Sequence, residues 1–171
     1  MEVDKQLESK ADCELEVSLV GDEELLYRRI PSCSSGTTEY YIKSPEGKIT
    51  FSKSAFADRG LKPSVDRASL HRNDSTKTQL VATDGVIGLI AGNVRAINDL
   101  SSGDSKGNVT ALYKIDVIHR PKPDNKAHAR VEPSPEYSSD KVFKRLQQRL
   151  VRLADEYFAT HEWEIKPDGL D

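Results

Sequence analysis

The chain predicts an α+β fold: an antiparallel sheet, with or without strong curvature, packed by one long C-terminal helix. Three observations carry that reading. Short β-rich runs between Leu25 and Val131 are separated by turn residues. Ser44-Pro45-Glu46-Gly47 stands between Glu39–Lys43 and Lys48–Phe51, which makes a hairpin. From about Lys141 to Thr160, apolar residues recur at three- and four-residue spacing, the stripe of an amphipathic helix.

The elements follow in order. Residues 1–24 form an acidic lead-in with nine acids against Lys5 and Lys10. Glu14–Val20 alternates at period two, so an edge strand and a mobile acidic tail are equally open readings. Leu25–Ile30 reads as a strand stopped by Pro31. Ser52–Asp58 reads as one helical turn, capped by Ser52 or Ser54 and ended at Gly60. Ser64–Leu70 fits a strand or a turn of helix, and His71–Thr78 a polar connection. Gln79–Thr83 and Val86–Ile97 flank Asp84-Gly85 and suggest antiparallel strands. Val86–Ile97 also fits a buried helix of about three turns, but its glycines would cost about 1 kcal/mol each there, so strand is favoured. Ser101–Asn108 reads as a loop, Val109–Ile118 as a strand, and Ala127–Val131 as a last strand broken by Pro133 and Pro135. In the final helix Phe143, Leu146, Leu150, Leu153 and Tyr157 form the apolar stripe, behind a cap at Ser138-Ser139-Asp140. The domain reading is a lead-in over 1–24, one globular unit over 25–160, and a polar tail over 161–171.

Composition narrows the function classes. The 171 residues suffice for one core-bearing domain, and a net charge of −3 supplies no global basic field for nucleic acid or an acidic membrane. The N-terminus lacks the pattern of a signal peptide, and the longest apolar run is too short to span a bilayer, so a cytoplasmic protein is expected. Cys13 and Cys33 form no CxxC, and reduced thiols are expected. His71, His119, His128 and His161 form no ligand pair, so neither a metal nor a cofactor is expected. No GxSxG elbow and no phosphate-loop glycine spacing occurs. The helix cations Lys141, Lys144, Arg145, Arg149 and Arg152 lack interleaved aromatics, and a solvated face is favoured over a nucleic-acid contact.

The informative feature is the placing of cations in apolar surroundings. Arg28 and Arg29 lie within Leu25–Ile30 and would point to opposite faces of a strand. Arg95 ends Val86–Ile97, and His128 sits between two alanines. A desolvated cation needs a carboxylate or an anionic ligand, and Asp66, Asp84 and Asp116 are the natural internal partners. His71 and His119 fall at element edges, where exposure is expected. His128, Arg95 and Asp66 would form an acid/base and anion-holding cluster if the sheet joins them. Arg28 and Arg29 are the ligand- or anion-binding candidates.

The succession Leu26–Pro31, Ser52–Phe56, Ser64-Val65-Asp66, Gly85 through Arg95 and Ala127-His128-Ala129 resembles a group of uncharacterised small bacterial proteins. That group occurs near mobile-element or conflict-system genes and carries no assigned activity. The resemblance covers roughly residues 25–131 and implies a bacterial, multi-gene setting, such as phage defence. The expected role is therefore a protein-interaction or accessory subunit of a bacterial multi-protein system, its partner another protein encoded nearby. The alternative is a hydrolase or nuclease-like enzyme acting on a phosphorylated or nucleic-acid substrate through His128, Arg95, Arg29 and Asp66.

Overall fold

The computed structural model describes residues 19–32 and 38–170. The strands are β1 (Leu25–Ile30), β2 (Tyr41–Lys43), β3 (Ile49–Phe51), β4 (Ser64–Arg67) and β5 (Gly85–Ile90), followed by a short helix α1 (Ala91–Arg95). Then come β6 (Ser101–Gly103), β7 (Val109–Leu112), β8 (Lys114–His119), β9 (His128–Ser134) and the long helix α2 (Asp140–His161). Five strands form one antiparallel sheet in the order β5-β1-β4-β9-β8, and β2–β3 and β6–β7 are separate hairpins. This is the expected α+β class, with one long C-terminal helix against the sheet.

One face of the sheet presents Leu26, Ile30, Val65, Ile87, Leu89, Val117, Ala129 and Val131 to a single core. Helix α2 closes that core with Val142, Phe143, Leu146, Leu150 and Ala154, while Leu153 and Tyr157 are only half-buried. The helix also holds the β2–β3 hairpin and the turn after it. The Phe51 N–H donates to Asp155 Oδ1 at 2.9 Å, and Gln147 Nε2 donates to the Lys53 carbonyl at 3.1 Å. That turn is a 3-10 segment, Lys53–Phe56, with Ala55 and Phe56 buried. The Ser44–Gly47 connection makes the expected hairpin, with the Gly47 N–H on the Ser44 carbonyl at 2.8 Å and Gly47 at φ 84°.

Several local expectations need correction. Gln79–Thr83 is no strand, because Asp84 Oδ2 accepts from the amides of Leu80 and Val81 and folds the segment into a turn. Val86–Ile97 is strand only to Ile90 and then turns into α1. The Gly92 N–H donates to the Asp22 carbonyl, whose close approach leaves no room for a Cβ. Val109–Ile118 breaks at Tyr113, whose N–H goes to the Leu100 carbonyl, and Ser101–Gly103 pairs with β7 instead of looping freely. Pro133 does not stop β9 but sits inside it, opposite Ile115. The segment after His161 is docked. Trp163 packs edge-on against Tyr41, Phe51 and Phe158, and Ile165 bridges to Val86 on the outer edge of β5. At the other end Val20 is buried in the core and Glu24 pairs with Arg67. Residues 1–18, with Cys13 and most of Glu14–Val20, and Cys33 lie outside the described residues. No described helix is long and apolar enough to cross a membrane.

The cations of α2 divide into two sets. Arg145 donates to the carbonyls of Ser101 and Asp99, and Arg149 binds the Asp99 carboxylate. Lys141, Lys144 and Arg152 are exposed.

Candidate functional site

The face of the sheet opposite the main core carries a polar array. Register places Tyr27 opposite Asp66, Asp66 opposite His128, and Ser64 opposite Arg130. Directly opposed side chains on neighbouring strands are about 4.5–5.5 Å apart at Cβ, so these groups share one patch. Arg29 follows Tyr27 on the same side of β1. The patch opens into a cavity of about 520 Å³ that Arg28, Asp58, Arg59, Lys122 and Asn125 also line.

Four of the five expected site residues meet there: Arg28, Arg29, Asp66 and His128. Arg95 does not. Its Nε donates to Asp116 Oδ1 at 2.6 Å, its Nη1 to Asp22 Oδ1 at 2.6 Å and its Nη2 to the Val20 carbonyl at 2.6 Å. It clamps the residues before β1 and α1 to β8, so the cluster of His128, Arg95 and Asp66 is not assembled. The carboxylate partners fell as expected for two arginines, since Arg29 meets Asp84 at 3.2 Å and Arg95 meets Asp116.

Arg28 and Arg29 do point to opposite sides. Arg28 turns under the 3-10 segment, where Nε donates to the Ala55 carbonyl at 2.8 Å and the guanidinium lies 5.4 Å from the Phe56 ring centre. Its Nη1 and Nη2 grip Asp58 at 2.9 and 2.5 Å, and Nη1 reaches the Ser64 carbonyl at 2.7 Å. Asp58 in turn accepts the Ser64 N–H at 2.5 Å. Burial pushes the Asp58 carboxyl up, but the Arg28 bonds and the Ser64 amide outweigh it and hold the pKa below the ordinary value. The Arg28–Asp58 pair therefore pins both peptide groups flanking Ser64 Cα.

Asp66 is buried and spent on structure. Its Oδ2 accepts from Thr78 Oγ1 at 2.9 Å and lies 3.2 Å from His71 Nε2, and its Oδ1 accepts from Asn125 Nδ2 at 2.8 Å. These bonds tie the 68–78 segment and the 120–127 loop to β4. His71 is thus buried against Asp66, against the expectation of exposure at an element edge. His119 is half-buried with Nδ1 lacking any partner among the described residues.

His128 is 3% exposed. Its Nδ1 lies 2.7 Å from the Arg120 carbonyl and its Nε2 3.2 Å from Ser64 Oγ. A carbonyl only accepts, so Nδ1 carries a proton. Burial lowers the pKa below the usual histidine value, against the Arg120 bond that raises it, and the neutral ring prevails. Nε2 is then a lone pair, and the Ser64 hydroxyl donates to it. Ser64 was not legible as a site residue, because it precedes His128 by 64 positions and stands in no nucleophile motif.

The cation balance of the cavity is lopsided. Arg28 and Arg29 are paired, but Arg59, Lys122 and Arg130 make no ion pair among the described residues. Against the lining's five lysines and arginines stand only Asp58 and Asp66, on a chain of net charge −3. Among the described residues no group of three or more His, Cys, Asp and Glu side chains could hold a metal ion. No family model matches the chain, and no curated protein or solved structure matches it.

Two histidines set a pH dependence. His128 and His119 both have pKa values below the ordinary one, chiefly through burial. The unfolded chain therefore binds more protons than the native one just below the usual histidine value of about 6.5. Stability should be fully present above that value and fall as pH drops below it. Urea unfolding at about pH 7.5 and about pH 5.5 checks this, and His128→Gln should flatten the difference. Equal slopes in the two proteins would contradict the assignment of His128 as buried and neutral.

Proposed function

We propose that the protein binds a small phosphorylated ligand in the cavity over β1, β4 and β9. The observation that carries this reading is the set of cations that make no ion pair among the described residues, Arg59, Lys122 and Arg130, around a cavity of about 520 Å³. That volume suits a small molecule, whose sites commonly span about 300–1,000 Å³. Guanidinium forks match phosphate oxygens in two-point contacts, and Arg130 stands directly opposite Ser64 across the β4–β9 pair. The paired cations, Arg28 and Arg29, keep the surrounding loops in place. Of the expected roles, this is closer to the enzyme acting on a phosphorylated substrate than to a plain interaction subunit.

Titration of the full chain with inorganic phosphate, followed by NMR or calorimetry, tests it. Saturable binding is expected, weakened about tenfold or more in Arg130→Gln, as befits one charge-assisted contact of about 1.5–3 kcal/mol. Absence of binding, or equal affinity in the variant, would refute the assignment.

The accessory-subunit reading retains one specific support. Val109 and Leu112 on the β6–β7 hairpin are 63% and 70% exposed, an apolar pair that a protein partner could cover. Co-purification of neighbouring gene products with the wild-type chain, and their loss in Val109→Asp with Leu112→Asp, would bear it out.

A further inference from the structure

We propose that Ser64 and His128 form a nucleophile–base pair that hydrolyses a phosphate monoester held in this cavity. The inference rests on the phosphate-binding reading and adds chemistry to it. A serine is a weak nucleophile at its free pKa and needs an adjacent base with an available lone pair, itself oriented by a third group. All three parts are present. His128 Nε2 lies 3.2 Å from Ser64 Oγ, at the outer limit of the distance a proton can cross directly. The Arg120 carbonyl, 2.7 Å from Nδ1, fixes the tautomer that leaves Nε2 unprotonated. It also accepts from the imidazolium formed when Nε2 takes a proton, the role a carboxylate plays in other triads.

The serine is positioned as well as activated. Its N–H is held by Asp58 Oδ2 and its carbonyl by Arg28 Nη1, so its backbone is fixed on both sides of the side chain. Arg130 stands opposite it across the β4–β9 pair, and Arg29 and Arg59 line the same cavity. Cations around a hydroxyl nucleophile suit a transferring phosphoryl group, whose charge is spread over three oxygens. A neutral acyl ester would not need them. Asp66, although opposite His128, bonds to His71, Thr78 and Asn125 and serves as a positioning residue.

In the first step Ser64 Oγ attacks phosphorus while its proton passes to His128 Nε2. The bond from phosphorus to the ester oxygen breaks on the side away from Oγ, and that oxygen takes a proton from solvent water as it leaves as the alcohol. In the second step water attacks the phosphoserine from that same outer side and gives its proton back to solvent. The phosphorus–Oγ bond breaks, Oγ recovers the proton held on His128 Nε2, and inorganic phosphate departs. The sum is one phosphate monoester and one water giving one alcohol and one phosphate.

The full chain incubated with p-nitrophenyl phosphate tests the step, with inorganic phosphate binding measured in parallel. Release of p-nitrophenol is expected, with a phosphoryl group on the Ser64 peptide after acid quench. Ser64→Ala should slow turnover at least about 100-fold, since nucleophile and base act as one unit, and keep phosphate affinity within about threefold. The alanine preserves both backbone bonds at position 64, so it should fold. Arg130→Gln, a half-exposed change, should lower turnover about tenfold as a second check. Phosphate binding without turnover, or turnover that survives in Ser64→Ala, would overturn the hydrolysis and leave the binding site standing. No phosphate binding at all would remove both.

Discussion

Asp58→Ala is expected to destabilise the fold by about 3–5 kcal/mol, the usual effect of taking one partner from a buried ion pair. Arg28 and Asp58 expose only 11% and 18% of their side chains, so solvent screens the pair little. The guanidinium would keep its bonds to the carbonyls of Ala55 and Ser64 but lose the one charge that offsets its own. The Ser64 N–H would lose its acceptor as well. Denaturant unfolding measures the cost. The double change Arg28→Met with Asp58→Ala should be milder than Asp58→Ala alone, because no uncompensated charge remains. A single-variant loss below about 1 kcal/mol would show that water reaches Arg28 freely. Because the Asp58 pKa is depressed in the fold, its contribution is present at neutral pH and disappears as pH falls through the folded value.

Leu150→Ala should cost about 2–5 kcal/mol, the range for emptying a closed leucine site. Leu150 is fully buried on α2, beneath the core face of the sheet. The consequence reaches beyond the core, since α2 steadies the Lys53–Phe56 turn through Gln147, and the chain leaving that turn carries Asp58. Leu153→Ala, at a half-buried position on the same stripe, should cost clearly less. Equal losses at 150 and 153 would mean that the helix is rotated relative to the sheet.

Patterns that repeat locally were readable in the chain, and pairings across long separations were not. The helix over 140–161 follows from its stripe, and the β2–β3 hairpin from a turn whose glycine takes a positive φ. Arginines among apolar residues called for carboxylate partners, and two of the three aspartates named for them serve, Asp84 for Arg29 and Asp116 for Arg95, while Arg28 takes Asp58, which was not among them. Gln79–Thr83 misled because alternation cannot register a side chain such as Asp84 that captures the amides of its own neighbours. His71 looked exposed because its burial depends on Asp66, itself held from Thr78 and Asn125. Arg95 looked like a site residue because an unsatisfied cation and a clamp have the same signature in sequence. Ser64 carried none, since its importance lies in which strand β4 pairs with and in what register.

The docked C-terminal residues cover an outer edge of the five-stranded sheet. Without them β5 would present an unpaired outer edge, the template on which a second chain can add a strand. Instead the Val86 N–H donates to the Ile165 carbonyl at 2.8 Å, and the Val86 carbonyl accepts the amides of Glu164 and Ile165. Trp163 and Pro167 close over Gly85, where even a methyl group would collide with Pro167. A short stretch that reads as a polar tail thus occupies the hydrogen-bonding positions along β5 that an added strand would need.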